Sequence, residues 1–293
     1  DGWWTGINGT GDQITATSEV AIPTNHSLYA KWLPKSYTIT FDSQGGTVSI
    51  SSKVVIFGQE IGTLPTPTKP GYTFMGWWTG SSGSGVQIEE TTILTLPYDI
   101  TYYAWWVFTP FIGPGGGYVF YENANFAEDG WRYLEAAPED WSGLPPGSYG
   151  QLDPGYPFGY YRPNGSDQNV GTENEIGTGK GNTATLIRAM GNSAYTSSTS
   201  NETTSNYAAK VCAEYRGEGF DDWFLPSQYE LHYMILSLRT HNVGELYGAR
   251  YWSSSEYSTY PQYAKNIRYD SGYIISSYGY KDIAYSVRPI RAY

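Results

Sequence analysis

The chain is poor in the residues on which most reactive chemistry depends. One cysteine, Cys212, stands among 293 residues, which excludes an intramolecular disulfide. With only three histidines, His26, His232 and His241, a structural Cys/His zinc site cannot be assembled. Charged residues make up 15% of the chain, and 17 Lys and Arg face 28 Asp and Glu. The net charge of −11 leaves no clustered basic surface of the kind phosphate backbones require, so no nucleic-acid partner is expected. No apolar run approaches the roughly 20 residues of a membrane-spanning helix, and no signal peptide is visible. Scarce cysteine fits a cytosolic protein and a bacterial exported one equally, so composition alone leaves the compartment open. The chain opens in the middle of a repeat, so an export signal is expected upstream.

What is abundant points to β structure. Aromatic residues reach 17%, with 35 Gly and 17 Pro, a balance that suits short strands and ordered loops better than helices. The length allows two or three domains, each with its own core.

Asp1-Gly2-Trp3-Trp4-Thr5-Gly6 aligns with Met75-Gly76-Trp77-Trp78-Thr79-Gly80 at an offset of 74 residues. The register holds without a gap through Gly11 and Gly85, Gln13-Ile14 and Gln87-Ile88, and Trp32 and Trp106. Such agreement marks an internal duplication, so residues 1–33 are the back half of one unit and 34–107 a complete second one. Tyr37-Thr38-Ile39-Thr40-Phe41-Asp42 alternates like a half-buried strand and Ser43-Gln44-Gly45-Gly46 supplies a turn. The Pro-rich stretch from Leu64 to Gly71 cannot join a central ladder and is expected to be a crossing connection. Residues 37–106 resemble the internalin-type B repeat, the Listeria-Bacteroides repeat, which implies a β-grasp-like spacer module of bacterial surface proteins. Trp77 and Trp78 could stack on a sugar. Their presence in both copies at one register is what packing requires, so at least one is expected in the core.

After Pro110 the pattern changes, and residues 108–293 read as an α+β domain. Asn206–Arg216 places Ala208, Val211, Cys212 and Tyr215 on one helical face, which makes Cys212 a buried apolar residue. A second helix starts after Ser227, which has capping-box spacing to Glu230, and Leu231, Met234, Ile235 and Leu238 form its stripe. Short strands in an antiparallel meander are expected from Tyr251 onward. Gly177-Thr178-Gly179-Lys180-Gly181 lacks the Ser or Thr and the preceding strand of a phosphate loop, and is read as a turn.

Four ordered segments then carry a resemblance. They are Gly177–Thr183, Trp223-Phe224-Leu225-Pro226-Ser227 with Glu230-Leu231, Tyr251–Glu256, and Val287-Arg288-Pro289-Ile290-Arg291. Together they resemble the domain found at the C-terminus of the Legionella collagen-like adhesin and in Fibrobacter paralogous surface proteins. The resemblance implies a C-type-lectin-like fold, display outside the bacterial cell and ligand binding.

No catalytic constellation stands out. The formylglycine-generating enzymes of this fold need paired cysteines, and a hydrolase needs an activated nucleophile beside a base; neither is found. The expectation is a protein that is not an enzyme and has no cofactor. The Glu-Pro-Asn and Gln-Pro-Asp motifs of calcium-dependent lectins are missing, and calcium held by scattered carboxylates and carbonyls stays open. Arg288 and Arg291 are expected to pair structurally with carboxylates such as Asp221 or Asp222.

The segment from Glu256 to Tyr285 is dense in Tyr interleaved with Ser, Asn and Asp, the composition of adaptable contact surfaces. The expected ligand-binding residues are Tyr257, Ser258, Tyr260, Tyr263, Asn266, Arg268, Asp270, Tyr273, Ser276, Tyr278, Tyr280, Asp282 and Tyr285, with Ser271 and Ser277 among their neighbours. Over 251–293, Lys265, Arg268, Lys281, Arg288 and Arg291 outnumber Glu256, Asp270 and Asp282, so an anionic sugar is not excluded. Tyr, Ser, Asp, Asn and Arg are all reachable from adenine-rich Asn codons by changing adenines alone. The segment thus resembles the variable region of proteins diversified by retroelements. The chain as a whole is expected to be multidomain, with all-β, β-grasp-like spacer repeats followed by an α+β C-type-lectin-like domain at a bacterial cell surface. It is expected to bind a protein or glycan on another cell or surface. A fixed structural surface protein, or a glycan-binding adhesin without diversification, is the alternative.

Overall fold

Alternation at period two puts Ile39 and Phe41 on one side of a strand, and both are buried in the computed structural model. The structure describes residues 1–143, 153–246, 250–270 and 272–293; Ser271 lies outside them. The chain is a mostly β, multidomain protein of two units, Asp1–Trp106 and Val107–Tyr293.

The first unit begins with β1 (Gly2–Trp4), β2 (Gln13–Ile14) and β3 (Tyr29–Lys31), then β4 (Ser36–Asp42), β5 (Ser52–Ile56), β6 (Tyr72–Trp78), β7 (Gln87–Ile88) and β8 (Ile100–Phe108), which runs past the boundary after Trp106. The first three strands make a sheet of order β2-β1-β3, and the rest make one of order β5-β4-β8-β6-β7, with β4 and β8 parallel. The duplication is visible atom by atom. Thr5 N–H donates to the Asp12 carbonyl at 3.0 Å and Thr79 N–H to that of Val86 at 3.0 Å, and the Thr5 and Thr79 hydroxyls each accept a backbone N–H at 2.9 Å. Trp77 is core: it is 1% exposed, packs on Phe41 and Phe74 and donates to the Pro65 carbonyl. Trp78 is half-buried and meets Trp105 edge-on. Trp3, the counterpart of Trp77, is 55% exposed.

The second unit runs β9 (Phe111–Ile112), β10 (Tyr118–Glu122), α1 (Phe126–Asp129), β11 (Tyr133–Ala136) and β12 (Gly155–Tyr156), then α2 (Gly179–Met190), β13 (Ala194–Tyr195), β14 (Thr203–Thr204), α3 (Ala208–Glu214) and α4 (Gln228–Thr240). It closes with β15 (Arg250–Glu256), β16 (Tyr263–Asp270), β17 (Tyr273–Tyr280), β18 (Tyr285–Ser286) and β19 (Ile290–Ala292). One sheet has the order β19-β11-β10-β9 and another β12-β18-β15-β16-β17, with β13 and β14 forming a separate pair. The larger sheet separates two cores. Tyr251 and Ile267 face one, with Phe120, Leu134 and α4, while their neighbours Trp252 and Ala264 share the other with α2, α3 and Phe158.

The capping box of α4 is present, with Ser227 and Glu230 bonded reciprocally, and Cys212 is fully buried. Two expectations are corrected. The glycine-rich stretch at 177–181 is not only a turn, because α2 starts at Gly179. The meander is antiparallel only through β15-β16-β17; β18 joins β15 in parallel.

Buried ion pairs tie distant segments together. Arg288 bonds both oxygens of Asp153 at 2.6 and 2.7 Å, so its partner is neither Asp221 nor Asp222. Arg291 does pair with Asp222, at 2.9 Å, and also reaches Glu135.

Candidate ligand-binding face

The β16–β17 hairpin carries most of the expected contact residues, and its register decides which of them meet. Tyr263 pairs with Tyr280, Lys265 with Tyr278 and Ile267 with Ser276, so these side chains share one face. Toward β17's start that face turns inward, where Ile267, Tyr269 and Ile274 join the core beside α4. Toward its end the face opens and phenols gather. Tyr257 stacks on Tyr278 with ring centroids 4.6 Å apart and lies parallel to Tyr260 at 6.1 Å. Tyr263 meets Tyr280 at 4.5 Å, Tyr278 at 5.2 Å and Tyr260 at 6.2 Å. Tyr260, Tyr278 and Tyr280 are each about half exposed, at 52%, 51% and 50%, and Tyr257 and Tyr263 are half-buried beneath them.

A hydrogen bond with Tyr280, aided by desolvation and the neighbouring phenols, pushes the Tyr263 hydroxyl up to about 12. The cluster is an amphipathic surface able to stack and to exchange hydrogen bonds. Ser258 and Asp282 are exposed at its margin, where Asp282 accepts from the Tyr160 hydroxyl at 3.3 Å.

The remaining expected residues do not join this cluster. Asn266, Arg268, Asp270 and Tyr273 have the opposite parity and lie on the other face of the hairpin. Asn266 is fully buried and accepts from Arg250 at 3.2 Å, so it belongs to the interior; reading every polar residue in the segment as outward overlooked the alternation. Arg268 and Asp270 pair at 3.4 Å. Tyr273, 73% exposed, stands at the hairpin tip, roughly 23 Å from Tyr280 at the rise of an extended strand. Tyr285 is half-buried, its ring 4.5 Å from that of Trp252. It occupies the space a Cβ at Gly279 would need, which makes it a packing residue.

The local excess of positive charge is not presented to solvent. Lys281, Arg288 and Arg291 are buried, and Lys281 sits 2.8 Å from the buried Glu256. Burial lowers the Lys281 pKa, and Glu256 opposes that shift. Lys265, lowered by desolvation, donates to Asn174 at 2.9 Å. The charge excess over 251–293 therefore does not mark the open cluster, whose side chains are phenols.

Beside the cluster runs a groove of about 620 Å³, lined by Glu175, Ile176, Tyr229, His232, Tyr233 and Ser276. The α4 residues among them were missed in the sequence. Their signal was present, since positions 229, 232 and 233 fall opposite the apolar stripe of 231, 234, 235 and 238. Desolvation lowers the His232 pKa, which favours the uncharged imidazole. Among the described residues no group of three or more His, Cys, Asp or Glu side chains could hold a metal ion, and no helix is long and apolar enough to cross a membrane.

Two proteins of Evansella cellulosilytica are similar to parts of the chain, each at 34% identity. One, named as a membrane protein, matches over 85 residues, 29% of this chain and 12% of its own length. The other, named as a Gly-rich membrane protein, matches over 82 residues, 28% of this chain and 9% of its own length. Both names are marked as provisional, and the chain spans about a tenth of these relatives. The Listeria-Bacteroides repeat domain matches residues 37–105. That stretch, with the strands and buried Trp77 described above, is a Listeria-Bacteroides repeat domain.

Proposed function

We propose that this chain is a non-catalytic display protein of a bacterial cell surface. In this reading the repeat acts as a spacer, and residues 107–293 form a C-type-lectin-like recognition domain with no cofactor. The observation that carries it is the phenol cluster of Tyr257, Tyr260, Tyr263, Tyr278 and Tyr280, held open on a frame whose charged residues are paired inside. Exposed tyrosines supply large contact area at low entropic cost, and the Ser and Asp residues around them supply adaptable hydrogen bonds. A membrane-protein name on both relatives agrees with display at the cell envelope.

The reading extends to diversification of the face by a retroelement. A near-copy of the codons for 251–293 beside a reverse-transcriptase gene would establish it, and neighbouring DNA without one would leave a fixed face. Binding itself is tested on protein and glycan arrays with the 293-residue chain and its Tyr260→Ala/Tyr278→Ala/Tyr280→Ala variant. Saturable binding lost in the variant, at unchanged melting temperature, supports recognition. No saturable binding by the unaltered chain would favour the structural surface protein.

A further inference from the structure

The groove beside α4 holds one charged side chain, Glu175, and no Lys or Arg. Glu175 is exposed and makes no ion pair among the described residues. Tyr229 and Tyr233, one helical turn apart on α4, are 44% and 40% exposed, and the His232 ring stands edge-on to Tyr233 at 5.7 Å. Lys265 on β16 is turned to Asn174. The unit is acidic as a whole, with 20 Asp and Glu against 13 Lys and Arg over 107–293, and Lys281, Arg288 and Arg291 among these are buried in ion pairs.

Aromatic faces attract a cation electrostatically, and a guanidinium also stacks flat on a ring and bonds a carboxylate through two N–H groups. We infer that this groove is an anchor site for an arginine side chain of a protein ligand, stacked on Tyr229 or Tyr233 and paired with Glu175. The inference rests on the recognition reading and names its partner: a protein that places a basic residue beside the surface covered by Tyr278. Ser276 lines the groove and is two residues from Tyr278 on the same strand face, so one ligand can engage both.

The test is a titration of the isotope-labelled 293-residue chain with N-acetyl-arginine amide and, separately, with its neutral isostere N-acetyl-citrulline amide. The ring resonances of His232, Tyr229 and Tyr233 are followed by NMR. Saturable shifts are expected with arginine, weakened at least about fivefold by Glu175→Gln or Tyr233→Ala and unchanged by Tyr260→Ala/Tyr278→Ala. Equal response to citrulline, indifference to Glu175→Gln, or saturation by a methyl glycoside without any by arginine would overturn the anchor. Because the probe needs only the groove, failure here leaves the array result for the phenol cluster standing, and the converse holds.

Discussion

The carboxylate of Glu230 accepts a hydrogen bond from Gly177 N–H at 2.8 Å, across 53 residues of chain. It also accepts from Ser227 N–H at 2.7 Å, so one buried side chain joins the start of α2 to the start of α4. Gly179 makes room for it, since a Cβ there would overlap the carboxylate. Gly179→Ala is expected to destabilise the second unit by about 1–3 kcal/mol through that overlap, read from its denaturant midpoint.

Burial raises Glu230 to about 7, against the opposing effect of its backbone hydrogen bonds. The folded form then binds this proton more tightly than the unfolded chain. The stabilisation is present in full below the unfolded value of about 4.3 and is lost as pH rises through 7. The loss is on the order of 3 kcal/mol for this group alone. Comparing the pH dependence of unfolding with that of Glu230→Gln isolates the effect; identical slopes between pH 4.5 and 7 would contradict it.

Lys281→Ala is expected to cost about 3–5 kcal/mol, because Glu256 would be left charged and buried without its partner. Lys281→Met paired with Glu256→Gln should recover most of that loss. Chemical denaturation of the two variants gives the comparison.

The repeat supplies an internal control. Trp77→Ala should cost about 3–5 kcal/mol, as emptying a buried aromatic site does, whereas Trp3→Ala at the equivalent position should stay within about 0.5 kcal/mol because its ring is largely solvated. Equal losses would mean that Trp3 is also packed.

The Cys212 thiol is fully buried, and burial raises its pKa well above the ordinary value. Ellman's reagent should label it only at the rate at which the second unit unfolds. Labelling within seconds under native conditions would show a path to α3.

The repeat was legible because its turn glycines and tryptophans recur at one offset, and α4 because Ser227 and Glu230 announce its start. Helix α2 was not, since Gly179 and Gly181 are poor helix formers; it forms where the Glu230 carboxylate and the second core receive it. The aromatic face was legible in composition but not in division. Only the register of β16 against β17 separates Tyr263, Tyr278 and Tyr280 from Asn266 and Tyr273, and composition does not encode which residue lies across a hairpin.

Lys281 and Glu256 stand 25 residues apart, and Tyr257, Tyr260, Tyr263, Tyr278 and Tyr280 all fall between them. With no second cysteine among these 293 residues to close a disulfide, this pair clasps the base of the segment as a covalent staple would. What lies between is held at both ends, so replacing the half-exposed Tyr260, Tyr278 or Tyr280 should leave the hairpin in place.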